Sequence, residues 1–336
     1  MTLSDSDLRV LDKLKGFIPG KIFDAHAHLY NTDYMPVIGA SGSIFNECGP
    51  VADRESYLRM QCPLYPGVTE LRLNLVSAPD PSMKDPTKGH RALSLGFLTN
   101  HLDRFPEDIG EAFVLPGDSD LDVENLLVHP NIRGFKCYHV TAPVSNTMQA
   151  DIDQYLPESA WRVANEKGLC ITLHMVKDAA SADPRNIDTI RDKAKKYPGV
   201  KLILAHAARG FASWTALEGI KKLSGFPNIF YDVSAVCEPT AMIAAIKGGG
   251  ADKVLWGSDF PVSMSRGKCV SLGAFFLWLD LTALKKLGVP AAAEANLVGI
   301  ESLHALFQAC DILDLTRKDV EGIFYNNAMK LFALSD

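Results

Sequence analysis

His26 and His28 stand two residues apart at the end of an apolar segment, Ile22-Phe23-Asp24-Ala25-His26. Alternate side chains of an extended strand leave the same face, so the two imidazoles can converge on one ion. Neutral imidazoles suit zinc, iron or manganese and call for a carboxylate to balance the charge. Nine histidines in 336 residues make roughly 0.24 such pairs by chance, so the pair alone is a weak signal. Its context is stronger, because His174, His206 and Asp259 each end another apolar segment. A divalent ion held by three imidazoles and a carboxylate keeps a position for water, whose pKa it lowers towards about 7. Asp259 can bind such an ion and also take the attacking water's proton. His206, with an ordinary pKa near about 6.5, can protonate a leaving group or polarise a carbonyl; ligation of a second metal is the competing role.

Cations surround these residues in the sequence. Lys136 ends its own apolar segment, and three readings stay open: a carboxylated bridge between two ions, a plain ammonium that grips an anionic substrate, or a lysine that snorkels out of the strand end. Tyr138 shares its face by the same alternation and is a second substrate-contact candidate. His139 starts the following loop, where solvent exposure is the expectation. Arg209 follows His206 by three residues and Arg266 follows Asp259 by seven, so both are expected in loops beside the metal, where arginine forks suit carboxylates. Surface salt bridging is the alternative for each. Arg54 is a weaker candidate, and Asp232 is expected to orient another side chain.

Eight apolar, β-rich segments position these groups: 22–26, 71–76, 111–115, 132–138, 169–174, 201–206, 229–233 and 254–259. Helical patterns separate the later ones, over 159–167, 187–197, 212–223 and 240–247. Lys136, His174, His206, Asp232 and Asp259 are 38, 32, 26 and 27 positions apart, close to the roughly 30 residues of a βαβ unit. Repeated β/α units of this kind close into a (β/α)8 TIM barrel of about 250 residues, whose chemistry sits at the C-terminal strand ends. A doubly wound open sheet competes, but no Gly-rich phosphate turn follows the first strand. The expectation is therefore one metal-dependent TIM-barrel domain over 1–336. It has an N-terminal extension over 1–20, insertions at the C-terminal mouth over 31–69 (with Gly39 and Gly42) and 264–313, and a last helix from Val320 to Leu334 that covers the barrel. The run from Ala274 to Leu279 reads as a buried helix.

Composition narrows the partners. The chain is 47% hydrophobic and 22% charged, which excludes disorder and collagen-like repeats. Its formal charge of −6 lacks the basic excess that nucleic-acid binding requires. The polar, acidic first residues are unlike a signal peptide, and the longest apolar run falls far short of the ~20 residues of a membrane span, so a cytoplasmic protein without a membrane partner is expected. The seven cysteines are scattered, with no C-x-x-C pair, as reduced thiols would be. Assembly into a homo-oligomer is left open.

Asp24-Ala25-His26-Ala27-His28, the lone His174 and His206, and Gly257-Ser258-Asp259-Phe260-Pro261 together resemble the metal site of the amidohydrolase superfamily. The branch they are most similar to is the amidohydrolase-related group of aromatic-acid decarboxylases and of sugar and dicarboxylate lactonases. Tyr325-Asn326-Asn327-Ala328-Met329-Lys330-Leu331-Phe332 resembles that branch's closing segment. The resemblance implies that His26, His28 and His174 are ligands, Asp259 a ligand or proton acceptor, and His206 an acid/base beside the metal. It implies one divalent ion, zinc or manganese, with a second ion on a carboxylated Lys136 as the alternative. The stretch from Asn31 to Thr69 has no counterpart in it. The leading functional expectation is a metal-dependent hydrolase of a small carboxylated lactone, ester or amide. The alternatives are a non-oxidative decarboxylase and, last, a metal-stabilised binding protein without catalysis.

Overall fold

The computed structural model describes residues 2–38, 48–289 and 294–335; Gly39 and Gly42 lie outside the described residues. Each of the eight segments forms a strand. With one further two-residue strand, β2 (Val51–Ala52), the strands of the sheet in chain order are β1 (Lys21–Asn31), β2, β3 (Glu70–Ser77), β4 (Ile109–Phe113), β5 (Ile132–Cys137), β6 (Cys170–Leu173), β7 (Lys201–Leu204), β8 (Ile229–Asp232) and β9 (Val254–Leu255). The sheet order is β2-β1-β3-β4-β5-β6-β7-β8-β9, parallel throughout except that β2 runs antiparallel to the end of β1. The residues after β9 continue along β1. Ala25 N–H donates to Trp256 O (2.9 Å), Asp259 N–H to His26 O (2.8 Å) and His28 N–H to Phe260 O (2.8 Å). A parallel bridge between Ala27 and Phe260 completes the closure. The sheet is thus a barrel, not an open doubly wound sheet, and closure sets Asp259 beside the two histidines of β1.

A register shift in β1 between Asp24 and Ala27 decides which side chains face inward. Phe23 and Ala25 join the floor of the barrel, while His26 and His28, one and three positions beyond Ala25, lie at the mouth. Strict alternation would send Phe23 and His26 to opposite faces; the extra residue of a bulge changes the phase and lets both point inward. Asn74, in the middle of β3, donates from Nδ2 to Ala25 O (3.0 Å) and so satisfies a carbonyl of the bulge.

The chain's last helical turns, Arg317–Glu321, Gly322–Asn326 and Asn327–Leu331, close the barrel at the strand starts. Tyr325, Ala328, Met329, Leu331 and Phe332 pack against Phe23, Ala25, Ile109, Cys170, Ile203 and Leu255. Phe23 and Phe332 stack at 5.6 Å. Burying each large apolar side chain here contributes about 1.5 to 3 kcal/mol. The opposite end is left free for polar groups.

One expected element is different. Gly267–Leu272 (β10) and Phe275–Asp280 (β11) form an antiparallel hairpin, so the apolar run from Ala274 is a strand, not a buried helix. Six consecutive apolar residues carry no period, and the pairing partner decides. Phe276 and Trp278 turn towards the barrel, while Phe275 and Leu277 are exposed on the outer face. Among the described residues no helix is long and apolar enough to cross a membrane.

Acid sensitivity arises on the outer helices. Glu158, first residue of the helix Glu158–Lys167, accepts from Lys193, Lys196 and Tyr197. Burial pushes its carboxyl up, but those three donors prevail and hold it at about 2. A depressed carboxyl contributes stability above its unfolded pKa and loses it as pH falls through the folded value. We therefore expect Glu158→Gln to lower the melting temperature at neutral pH, the gap to wild type shrinking between pH 4.5 and 2. Melting curves across that window check it; a gap independent of pH contradicts it.

Candidate metal centre

His26 and His28 on β1 and Asp259 beyond β9 bring one ligand atom each within 4.8 Å of one another, all buried. Asp259 Oδ1 lies 3.1 Å from His28 Nε2 and 3.7 Å from His26 Nε2. Burial, with the Lys136 charge behind it, pulls the His26 imidazole down to about 4, and burial also lowers His28. Both rings are neutral at pH 7 and offer lone pairs. Burial opposes ionisation of Asp259, but His206, His28 and His26 outweigh it and hold its carboxyl below the usual range. Two neutral imidazoles and one carboxylate, dry and convergent, fit a divalent transition ion. Gly257 permits the arrangement, since a Cβ there would come within 2.9 Å of His26 Cβ and 3.1 Å of Ser234 Cβ.

His26 is held from two further sides. Its Nδ1 meets Asp232 Oδ2 at 3.1 Å, and Lys136 Nζ lies 3.1 Å from its Nε2. Lys136 is fully buried, so it points into the barrel and does not snorkel. Burial lowers its pKa against the pull of Glu111, Asp232 and Asp259. Glu111 on β4 accepts through Oε1 from Asn74 (2.7 Å) and Thr172 (2.8 Å), while its Oε2 has no hydrogen-bond partner among the described residues. Burial raises the Glu111 carboxyl, and the Lys136 charge opposes that rise.

His174 is not among the atoms that converge on Asp259. Both ring nitrogens are engaged elsewhere: Nδ1 is 3.1 Å from His206 Nε2, and Nε2 is 3.1 Å from Arg209 Nη1. In this structure the lone pair of His174 Nε2 faces the Arg209 guanidinium and not the His26–His28–Asp259 cluster. His206 and Arg209 reach the same ring because residues 206–209 all have φ between 50° and 59°, one left-handed turn after β7. L-residues resist that conformation by about 1 to 2 kcal/mol each, a cost that persists where surrounding structure fixes a functional geometry. Tyr138 stacks on His174 with centroids 4.1 Å apart, and His139 lies beside it, buried and not exposed as expected.

Aromatic rings wall the site. Phe211 stacks on His206 (5.1 Å) and carries Phe276 and Trp278 of the hairpin on its other side. Arg209 lies over the Phe276 ring at 5.4 Å. Burial lowers its pKa, its Nε has no hydrogen-bond partner, and no carboxylate lies within 4 Å of it among the described residues.

Two expected cations serve elsewhere. Arg266 donates to Asp7 Oδ2 (2.8 Å), Ala295 O (2.9 Å) and Thr2 O (3.2 Å), which ties the N-terminal helix to the barrel. It lines a cavity of about 750 Å³ that none of the cluster residues borders. Its role as a substrate contact is therefore corrected: the guanidinium already has a buried carboxylate. Arg54 is likewise committed to Asp108, through Nη1 at 2.5 Å from both carboxylate oxygens.

Sequence reasoning missed Glu111, Asn74, Ser234, Tyr57 and the hairpin aromatics. The first two had a signal, a polar residue inside an apolar strand, and Ser234 had one as the i+2 neighbour of Asp232. Tyr57, whose hydroxyl donates to Asp24 Oδ2 (2.6 Å), lies in the stretch without a counterpart and gave none.

Comparison with known proteins places the chain by family and fold. The curated L-fucono-1,5-lactonase of Burkholderia ambifaria is 24% identical over 192 residues, which is 52% of this chain and 62% of the lactonase, so the match spans less than two thirds of that relative. A Burkholderia multivorans amidohydrolase solved with bound zinc superposes with a TM-score of 0.60 at 12% identity, covering 94% of this chain and 100% of that one. The 5-carboxyvanillate decarboxylase of Novosphingobium aromaticivorans was solved with manganese and 4-hydroxy-3-methoxy-5-nitrobenzoic acid. It gives a TM-score of 0.58 at 14% identity over 94% of this chain and 96% of its own. These two likenesses concern the fold. The sequence model of the amidohydrolase family matches residues 23–334, from within β1 to just past the closing helix, and on that match the chain belongs to the amidohydrolase family.

Proposed function

We propose that this protein is a metal-dependent hydrolase of a small carboxylated substrate, with a lactone as the first choice among lactones, esters and amides. The observation that carries the reading is Arg209: a buried guanidinium without a carboxylate partner among the described residues, connected through His174 and His206 to the His26 ring of the His26–His28–Asp259 cluster. A buried charge without a counterion is costly, and a substrate carboxylate would relieve it. The lactonase relative and the zinc and manganese of the structural neighbours support the choice of substrate and ion.

A divalent ion on His26, His28 and Asp259 would supply an activated water and polarise the scissile carbonyl. Asp259 accepts the proton of the attacking water as its oxygen adds to the carbonyl carbon. Arg209 holds the substrate carboxylate in its fork. The hairpin aromatics and Phe211 exclude bulk water, which strengthens each of these interactions. The bond to the leaving oxygen then breaks, and that oxygen takes a proton relayed through His206. Metal-loaded protein is to be screened against small lactones and carboxylic acids by proton release and by carbon dioxide. Proton release without carbon dioxide supports the hydrolase; carbon dioxide evolution replaces it with the decarboxylase reading.

Arg209→Ala is expected to lower kcat/KM by roughly 10- to 100-fold, the loss of a few kcal/mol of charge-assisted hydrogen bonding, and to spare metal content. Unchanged kinetics on the carboxylated substrate contradict its role. Lys136 is read as a free amine beside a single ion: burial lowers its pKa, but Glu111, Asp232 and Asp259 oppose that fall and would repel the added negative charge of a carboxylated lysine. Electron density that ends at Nζ agrees. Three further atoms, with two ions about 3.5 to 4 Å apart, contradict it.

A further inference from the structure

The hydrogen bonds between Arg209 and His26 have only one consistent set of directions. An arginine only donates and a carboxylate only accepts, and this fixes both ends of the chain. Arg209 Nη1 donates to His174 Nε2 (3.1 Å), so the His174 proton sits on Nδ1 and is given to His206 Nε2 (3.1 Å). The proton of His206 is thereby on Nδ1, where Ser234 receives it at its carbonyl oxygen (3.0 Å) and at Oγ (3.0 Å). Ser234 gives its own hydroxyl proton to Asp232 Oδ1. At the other end, His26 Nδ1 lies 3.1 Å from Asp232 Oδ2 and 3.2 Å from Ser234 Oγ, both acceptors towards it. His26 is therefore protonated on Nδ1, and its Nε2 carries no proton: it accepts from Lys136 Nζ (3.1 Å) and faces Asp259.

We infer that Asp232 and Ser234, at the end of β8, form a positioning pair that sets the tautomers of His26 and His206 together. Asp232 is built for this. Its Oδ1 also accepts the backbone N–H groups of His206 (3.0 Å) and Ser234 (3.1 Å), so one carboxylate holds the left-handed turn after β7, the residue two beyond itself and the His26 ring on β1. Carboxylates that accept from a ligand imidazole fix its orientation and raise its basicity. Here the same carboxylate reaches, through one hydroxyl, the ring that handles protons. His26, His206 and Asp232 also bring three ligand-type atoms within 4.8 Å of one another. Ser234 already bridges them with its hydroxyl, and this triad is therefore a hydrogen-bonded brace and not a second metal site.

The inference rests on reading His26 as a ligand and His206 as the proton carrier, and its test separates the two. Histidine nitrogens of the ¹⁵N-labelled metal-free protein are to be read by NMR, and zinc affinity by competition with a chelator, for wild type, Asp232→Asn and Ser234→Ala. Wild type should show Nδ1–H on both His26 and His206. Asp232→Asn should lose the fixed His26 tautomer and bind zinc about 10- to 100-fold more weakly, the usual scale for such partners. Ser234→Ala should keep zinc affinity within threefold while the His206 signals shift. An Nε2–H on either ring of wild type, or wild-type zinc affinity in Asp232→Asn, overturns the inference. Should Asp232→Asn fail to fold, the wild-type tautomers and the Ser234→Ala spectrum still decide it. Both Nδ1–H signals in a wild-type protein that takes up no zinc would overturn the proposed function and leave the tautomer assignment intact.

Discussion

His28→Ala, and the double variant His26→Ala/His28→Ala, are expected to lose bound divalent metal and all turnover above background. The cluster offers three converging atoms, and removing one or two leaves too few to hold an ion against water. His28→Ala is the cleaner of the two, because it leaves the pairing of His26 with Asp232 in place. The double variant also removes a hydrogen-bond donor from the buried Asp232 carboxylate, at a cost of about 1.5 to 3 kcal/mol of folding stability. Elemental analysis of each variant, with circular dichroism to show that it is folded, makes the measurement. A folded His28→Ala that retains a full equivalent of metal would exclude the cluster as the site.

His206→Asn is expected to keep its metal and lose about 10² or more in kcat, the scale of general acid/base catalysis. Asparagine preserves much of the shape but cannot exchange a proton at the position of Nε2, which faces His174 Nδ1 at 3.1 Å. The structure contains a direct competitor, the His26–His206–Asp232 triad, in which His206 would be a ligand. Metal content read beside kcat distinguishes them. Metal lost in proportion to activity would make His206 a ligand and the site binuclear.

Much of this arrangement is legible in the residues, for identifiable reasons. Strands buried on both faces are written as short apolar runs, so eight segments could be found, and polar residues at their ends stand out against them. Closure of the barrel is not written in any one segment: it is a pairing between β1 and residues 256–260, distant in sequence. The bulge in β1 is equally silent, because the phase change that turns both Phe23 and His26 inward depends on the register against β3. Arginines mislead for a different reason. Arg209 and Arg266 both follow an apparent ligand by a few residues, yet among the described residues one is left without a carboxylate and the other finds Asp7, some 259 residues away in sequence. Charge type is the same in both cases and both spacings, three and seven residues, are short, so only the fold assigns the partner. The hairpin shows the limit of periodicity, since Phe276 and Trp278 belong to the site while Phe275 and Leu277 of the same apolar run face outward.

The proposal stands on a divalent ion at His26, His28 and Asp259, and elemental analysis of the wild-type protein tests that most directly. The protein is to be measured as purified, after stripping with a chelator, and after return of zinc or manganese. One equivalent retained or taken up, lost with the chelator and restored together with turnover of a carboxylated substrate, is the predicted result. A protein that holds no metal as purified and takes up neither ion would contradict it.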